Sequence, residues 1–112
     1  MAKITRRPTR ASASLVPDVD PVVHQRVRLG ILSALAAGGP TGFTDLKTAL
    51  DLTDGNLSVH ARKLEEAGYV RVTKTSAGAT SLTEYALTEA GRTALGDYLD
   101  QMEAIIRAAR GG

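Results

Sequence analysis

Between Phe43 and Val70 the sequence leaves only Asp51 and Leu52 to join two short segments of helical periodicity, so the chain has to reverse sharply there. Phe43, Leu46 and Leu50 mark the first segment, opened by Thr44 or Asp45. The second opens the stretch TDGNLSVHARKLEEAGYV, residues 53–70. Thr53 can accept a hydrogen bond from the free amides of a first turn, and Asp54 beside it suits the positive end of a helix dipole. Leu57, Ala61 and Leu64 follow at spacings of four and three, which puts them on one side of a 3.6-residue period, facing a core. Gly68 then suits a left-handed helix stop. Two helices joined this tightly make a helix-turn-helix, in which the first braces the second, and Leu52 is expected to tuck beneath both.

The side of the second helix away from its apolar stripe carries Asn56, Ser58, Val59, Arg62 and Lys63. Asn can read adenine through two hydrogen bonds, Ser can reach bases or phosphates, and Arg and Lys neutralise phosphates, so this face suits a DNA major groove. An ordinary amphipathic surface helix would show the same stripe. His60 has two readings, a base contact or a structural hydrogen bond. Downstream, Tyr69 to Lys74 alternates Val70 and Val72 with polar residues, and Ser81 to Leu87 sets Tyr85 and Leu87 on one face. This predicts a hairpin with a small tip at Ser76 to Ala79. Arg71, Lys74, Thr75, Ser76 and Thr80 supply charge or hydroxyls with which such a wing can follow a backbone or minor groove. A hairpin that merely closes the core is the plainer reading.

The first helix is expected to start at Asp20, a good N-cap, with Pro21 at the first helical position, where its missing amide costs nothing. Val23, Val27, Ile31, Leu32 and Leu35 should bury one face, and Gly38-Gly39-Pro40 ends the segment. Gly30 in mid-helix costs about 1 kcal/mol relative to Ala, which suggests close packing against another helix. The last helix, about residues 88–109, is capped by Thr88 and carries Leu95, Leu99, Met102, Ile106 and Ala109 at spacings of four, three, four and three. That is a coiled-coil-like seam, longer than the hairpin and first helix can cover, and it predicts a homodimer with Gly96 and the first helix assisting. A helix folded back on its own core is the alternative.

Composition bounds these readings. A chain of 112 residues with 43% hydrophobic content suffices for one small, mostly aliphatic core. No run approaches the length of a membrane span and the start lacks an apolar signal core, so a cytoplasmic protein without a membrane partner is expected. With no cysteine, disulfides, thiol redox sensing and thiolate metal sites are excluded. Lys3, Arg6, Arg7 and Arg10 all precede the first acid, Asp18, while residues 18–112 hold ten bases and twelve acids. The isoelectric point of 9.2 therefore reports a basic tail, residues 1–19, expected to be disordered. That tail is either an arm that follows phosphates or a solubilising terminus. Support for nucleic-acid binding comes instead from placement, with Arg62, Lys63, Arg71 and Lys74 in the helix and wing and Asp97, Asp100 and Glu103 in the last helix. Two separate histidines, no phosphate-loop glycines and no carboxylate pair of telling spacing argue against an enzyme, and no metal or cofactor site is expected.

Three segments carry a resemblance. Asp20-Pro21-Val22-Val23-His24 with Arg28-Leu29-Gly30-Ile31-Leu32, then Leu50 to Val70, then Leu87-Thr88-Glu89-Ala90-Gly91-Arg92-Thr93-Ala94-Leu95 resemble the small winged-helix transcriptional regulators of the MarR and ArsR kind, in the same order and spacing. Many ArsR-like proteins place Arg where this chain has Val59, which can touch only a thymine methyl. The resemblance implies an α+β, mainly α fold over residues 20–110, a winged helix-turn-helix with a two-stranded wing and a long C-terminal dimerisation helix. It further implies a sequence-specific regulator of double-stranded DNA, most simply a repressor, binding an inverted-repeat operator as a homodimer. Thr53, Asn56, Ser58, Val59, His60, Arg62, Lys63, Arg71, Lys74 and Thr75 would form the DNA site. A small-molecule effector, as in MarR-like relatives, would sit in a crevice of the dimer, though no residue names one. A winged-helix protein-interaction module is the competing class.

Overall fold

A computed structural model describes residues 18–78 and 80–111. Of the basic tail expected over residues 1–19, residues 1–17 lie outside them, while Val19 packs on the core and the Asp18 carbonyl accepts from Gln101 Nε2 at 3.1 Å. Four helices and a small sheet follow in the order α1 (Arg26–Gly38), β1 (Thr41–Gly42), α2 (Phe43–Leu50), α3 (Asp54–Glu66), β2 (Val70–Ala77), β3 (Thr80–Leu87) and α4 (Glu89–Ala109). The sheet is antiparallel with strand order β1-β3-β2. The expected two-stranded hairpin thus gains a third strand, in which Thr41 pairs with Tyr85 and Gly42 with Glu84. The hairpin ladder runs on to Ala77 opposite Thr80, so Thr75 and Ser76, expected at or beside the tip, stand within a strand.

Helix α1 starts later than expected. The Asp20 carboxylate accepts from Val22 N at 2.8 Å and its carbonyl from His24 N at 2.8 Å, which closes a separate turn. Gln25 is extended (φ −155°) and caps the helix instead, its side chain accepting from Arg28 N at 2.9 Å. The apolar side is as expected, with Val23, Val27, Ile31, Leu32 and Leu35 buried. Gly30 makes no close approach, since a Cβ there would meet Leu50 Cδ2 at 3.6 Å, an ordinary contact.

Helix α2 opens at Phe43 after Gly42, without the side-chain cap expected from Thr44 or Asp45. It ends on Asp51 in the left-handed region (φ 54°), with Leu52 N bonded to Lys47 O at 3.0 Å. Helix α3 closes in the same way, with Gly68 left-handed (φ 84°) and Tyr69 N bonded to Leu64 O at 2.9 Å. These paired stops satisfy the last carbonyls and turn the chain within two residues. Leu46, Leu57, Ala61, Leu64, Val70, Tyr85, Leu95 and Tyr98 complete the core, with Leu52 packed at its margin.

The start of α4 is locked to the end of α3. The Thr88 hydroxyl donates to Gly68 O at 2.6 Å and accepts from Gly91 N at 3.0 Å, while Thr88 N donates to Tyr69 O at 3.1 Å. Gly91 lies so close to this strand entry that a Cβ would fall 2.1 Å from the Tyr69 carbonyl oxygen. Nearby, the Tyr69 hydroxyl donates to Asp20 Oδ2 and the Tyr98 hydroxyl bonds His24 Nδ1 at 2.8 Å, which ties the turn before α1 to the sheet and α4. The Asp20 bond, then burial, then the Asp20 charge raise the Tyr69 hydroxyl to about 12, so it keeps its proton and its role as donor. Among the described residues no helix is long and apolar enough to cross a membrane.

Candidate nucleic-acid interface

The cap read from the sequence is formed, with the Thr53 hydroxyl accepting from Asn56 N at 3.1 Å. Leu57, Ala61 and Leu64 hold α3 against the core. Thr53, Asn56, Ser58, Val59, Arg62 and Lys63 are exposed, Val59 at 55% of its surface. An apolar side chain this open on a polar helix face can cover a thymine methyl, the one apolar group on the major-groove floor. His60 is half-buried, with Nδ1 at 3.2 Å from Arg28 Nη1 of α1.

Ser58 and Arg62 face the wing, where a shallow groove is lined by these two residues with Ala61, Glu65, Val72, Lys74 and Tyr85. Arg62 from the helix and Lys74 from β2 therefore bracket one surface, and a phosphate chain laid along it would meet both. Glu65, three residues beyond Arg62, limits that positive stretch towards the end of α3. Burial, then the charge of Glu65, raises the Tyr85 hydroxyl above its ordinary range, so the groove floor stays uncharged there. Arg71 and Thr75 do not join this surface. Residues of a strand alternate between faces, and Val70, Val72 and Lys74 share the core side, paired with Leu87, Tyr85 and Thr83. Arg71 and Thr75, paired with Ala86 and Leu82, look out from the opposite side of the sheet.

Lys47 is a participant the sequence reading missed. Its Nζ lies 2.7 Å from Asp54 Oδ1, spanning the turn between α2 and α3. Such an exposed pair is worth at most about 1 kcal/mol, but it offsets an acid at the helix start where DNA phosphates would approach. A lysine seven residues before an acid that follows a tight turn is the signal that could have shown it. Among the described residues no group of three or more His, Asp or Glu side chains is placed to hold a metal ion.

The seam expected on α4 divides. Leu95 is buried in the chain's own core and Met102 packs at its edge, whereas Leu99 and Ile106 stay about half exposed, at 50% and 51%. Ile105, absent from the expected seam, adds a further exposed apolar side chain, and Ala109 lies open at the helix end. Tyr98, also unforeseen, fills the core between these residues and α1.

A helix-turn-helix whose second helix turns a polar face outward beside a basic-edged hairpin defines a DNA-binding winged helix of the regulator class. The chain belongs to the winged helix DNA-binding domain family, whose sequence pattern residues 27–106 match. An uncharacterized protein of Methanocaldococcus jannaschii is 40% identical over 78 residues, 70% of this chain and 85% of that protein. The structure of a transcriptional regulator homologue from Pyrococcus horikoshii is similar with a TM-score of 0.74 at 32% identity, covering 79% of this chain and 87% of that one. The transcriptional regulator BldR of Sulfolobus solfataricus shares the fold (TM-score 0.63, 18% identity, 76% and 60% of the two chains).

Proposed function

We propose that the protein is a sequence-specific transcriptional regulator that binds an inverted-repeat operator as a homodimer, most simply as a repressor that blocks polymerase. The observation that carries this reading is the exposed polar face of α3, set beside the Arg62–Lys74 groove in a winged-helix DNA-binding chain. Asn56, Ser58, Val59 and His60 are assigned to base reading. Arg62, Lys63 and Lys74 are assigned to phosphates, with Thr53 at the helix start, and Arg71 and Thr75 to the outer side of the wing where a backbone can pass. The exposed Leu99, Ile105 and Ile106 with Met102 and Ala109 support a second copy packed along α4, Leu95 serving the core beneath them. A twofold axis through that contact would set two copies of α3 into major grooves about 34 Å apart.

Selection of sheared genomic DNA on the purified protein at about 150 mM salt tests the reading, because loose phosphate binding is suppressed there. The expected result is an enriched inverted repeat with half-site centres about 10 base pairs, or a multiple of that, apart. Recovery of no preferred sequence would overturn it in favour of a winged helix that docks on protein.

A further inference from the structure

Arg28, half-buried, turns all three guanidinium nitrogens to partners within the protein. Its Nε donates to Val22 O at 2.6 Å, its Nη2 to Pro21 O at 3.4 Å, and its Nη1 reaches His60 Nδ1 at 3.2 Å. Arginine has only donors, so the His60 nitrogen in this bond must be the acceptor. A neutral imidazole that accepts at Nδ1 carries its proton at Nε2. Among the described residues, Nε2 has no hydrogen-bond partner in the protein. Protonating the ring would set an N–H against an N–H and a cation against a cation. The charged groups that act on His60 are Arg28 from α1 and Lys63 on its own helix, both positive, and burial with these two charges lowers its tendency to take a proton.

We propose that Arg28 is a positioning residue for DNA recognition, which locks His60 as the neutral Nε2–H tautomer so that α3 presents one directed donor to an acceptor atom on DNA. This rests on α3 being the DNA-reading helix. It gives α1 a part in recognition through a pair of residues 32 positions apart in the chain. The acceptor is either a guanine N7 or O6 or a phosphate oxygen, all of which take a single donated hydrogen. A locked donor also makes this contact insensitive to mild acidification. A free histidine beside phosphates would instead strengthen binding as it gained charge.

The test combines the ring's protonation state with binding. In the free wild-type protein at pH 7, nitrogen-detected NMR of the imidazole should show the Nε2–H tautomer for His60, and the Nδ1–H form would overturn the lock. Binding is measured on a duplex enriched by genomic selection and on a random duplex of equal length. H60N keeps an acceptor facing Arg28 but loses the outer donor, and should bind about tenfold more weakly with its circular dichroism spectrum unchanged, the loss expected for one hydrogen bond. A loss confined to the enriched duplex assigns the donor to a base, and an equal loss on both assigns it to phosphate; both support the proposal. R28Q should make affinity rise between pH 8 and pH 6 more steeply than in the wild type, as the ring, relieved of the Arg28 charge, takes up a proton more readily. A folded R28Q with the wild-type pH profile, or H60N binding as tightly as the wild type, overturns the proposal while leaving α3 as the reading helix. Wild type that binds neither duplex overturns the DNA reading itself. If R28Q does not fold, the tautomer and H60N decide.

Discussion

Helices α3 and α4 begin identically and end up with opposite surfaces. Each is capped by a threonine hydroxyl that accepts from the amide three residues on, Asn56 N at 3.1 Å and Gly91 N at 3.0 Å, and each continues with an acid, Asp54 or Glu89. Helix α3 buries its entire apolar stripe and exposes polar side chains, with Val59 as the exception. Helix α4 buries only Gly91, Leu95 and Tyr98, all within its first ten residues, and carries Leu99, Ile105 and Ile106 open to solvent. Local sequence can therefore start two helices the same way, while length relative to the core decides what each one offers. A 13-residue helix ends within the domain, and a 21-residue helix outruns it.

The sharpest way to break this contrast is at the fixed end of α4. Gly91→Ala drives a Cβ into the Tyr69 carbonyl oxygen, and should cost about 3 kcal/mol or more in urea denaturation, because backbone cannot yield as a side chain can. Gly96→Ala meets nothing within 4 Å and should gain about 0.5–1 kcal/mol from helix propensity. Equal effects at the two glycines would mean that the joint is not tight. At the other end, Ile106→Asp places a charge in the apolar stripe and should raise the dimer dissociation constant at least about 100-fold with the circular dichroism spectrum unchanged. Sedimentation showing wild type as a monomer at micromolar concentration would remove the second copy from the comparison.

On α3 the effects should appear in binding. Asn56→Ala is expected to lose about 1–3 kcal/mol of discrimination between operator and random DNA, and Lys63→Ala to weaken both alike and lower the salt slope by about one. Equal losses on both DNAs for the Asn56 variant would count against base reading. The shared cap then offers a direct comparison. Thr53→Ala should cost about 1 kcal/mol of stability. Thr88→Ala should cost about 2 kcal/mol in the same denaturation series, since its hydroxyl also donates to Gly68 O at 2.6 Å.

What the sequence made legible was local. The Thr53 cap, the stripe of Leu57, Ala61 and Leu64 and the Gly68 stop all depend on residues within one or two turns, and all formed as read. Asp20-Pro21 misled because a cap followed by proline fits a reverse turn as well as a helix start, and only the extended Gln25 separates the two. Strand β1 has two residues, too few to show a period. The α4 seam marked apolar residues without telling those that face their own core, such as Leu95, from those left open, such as Leu99. Arg71 and Lys74 are three apart, so strand alternation already put them on opposite faces; grouping them as one patch overlooked it. The Arg28–His60 bond is long-range and left no periodic trace.

The smallest expected effect lies on the polar side of α3 and concerns stability against pH. Burial first, then Arg28, then Lys63, hold His60 below its ordinary value of 6.5 in the folded chain, while the unfolded chain keeps that value. Above about pH 6.5 the ring is neutral in both states, so its neutral contact with Arg28 contributes in full. As pH falls through this range the unfolded chain takes up a proton that the folded chain resists, which favours unfolding until the folded ring is protonated too. Carboxylates titrate in an overlapping window, so the informative quantity is the difference between wild type and H60N. That difference in melting temperature should favour wild type more at pH 7.5 than at pH 5.5, by a small amount because the ring is only half-buried and solvent screens the nearby charges. A wild-type advantage that grew on acidification would mean that folded α3 prefers a charged His60. The helix would then present one more cation to DNA instead of a neutral donor, and its polar face would act by charge where α4 acts by apolar contact.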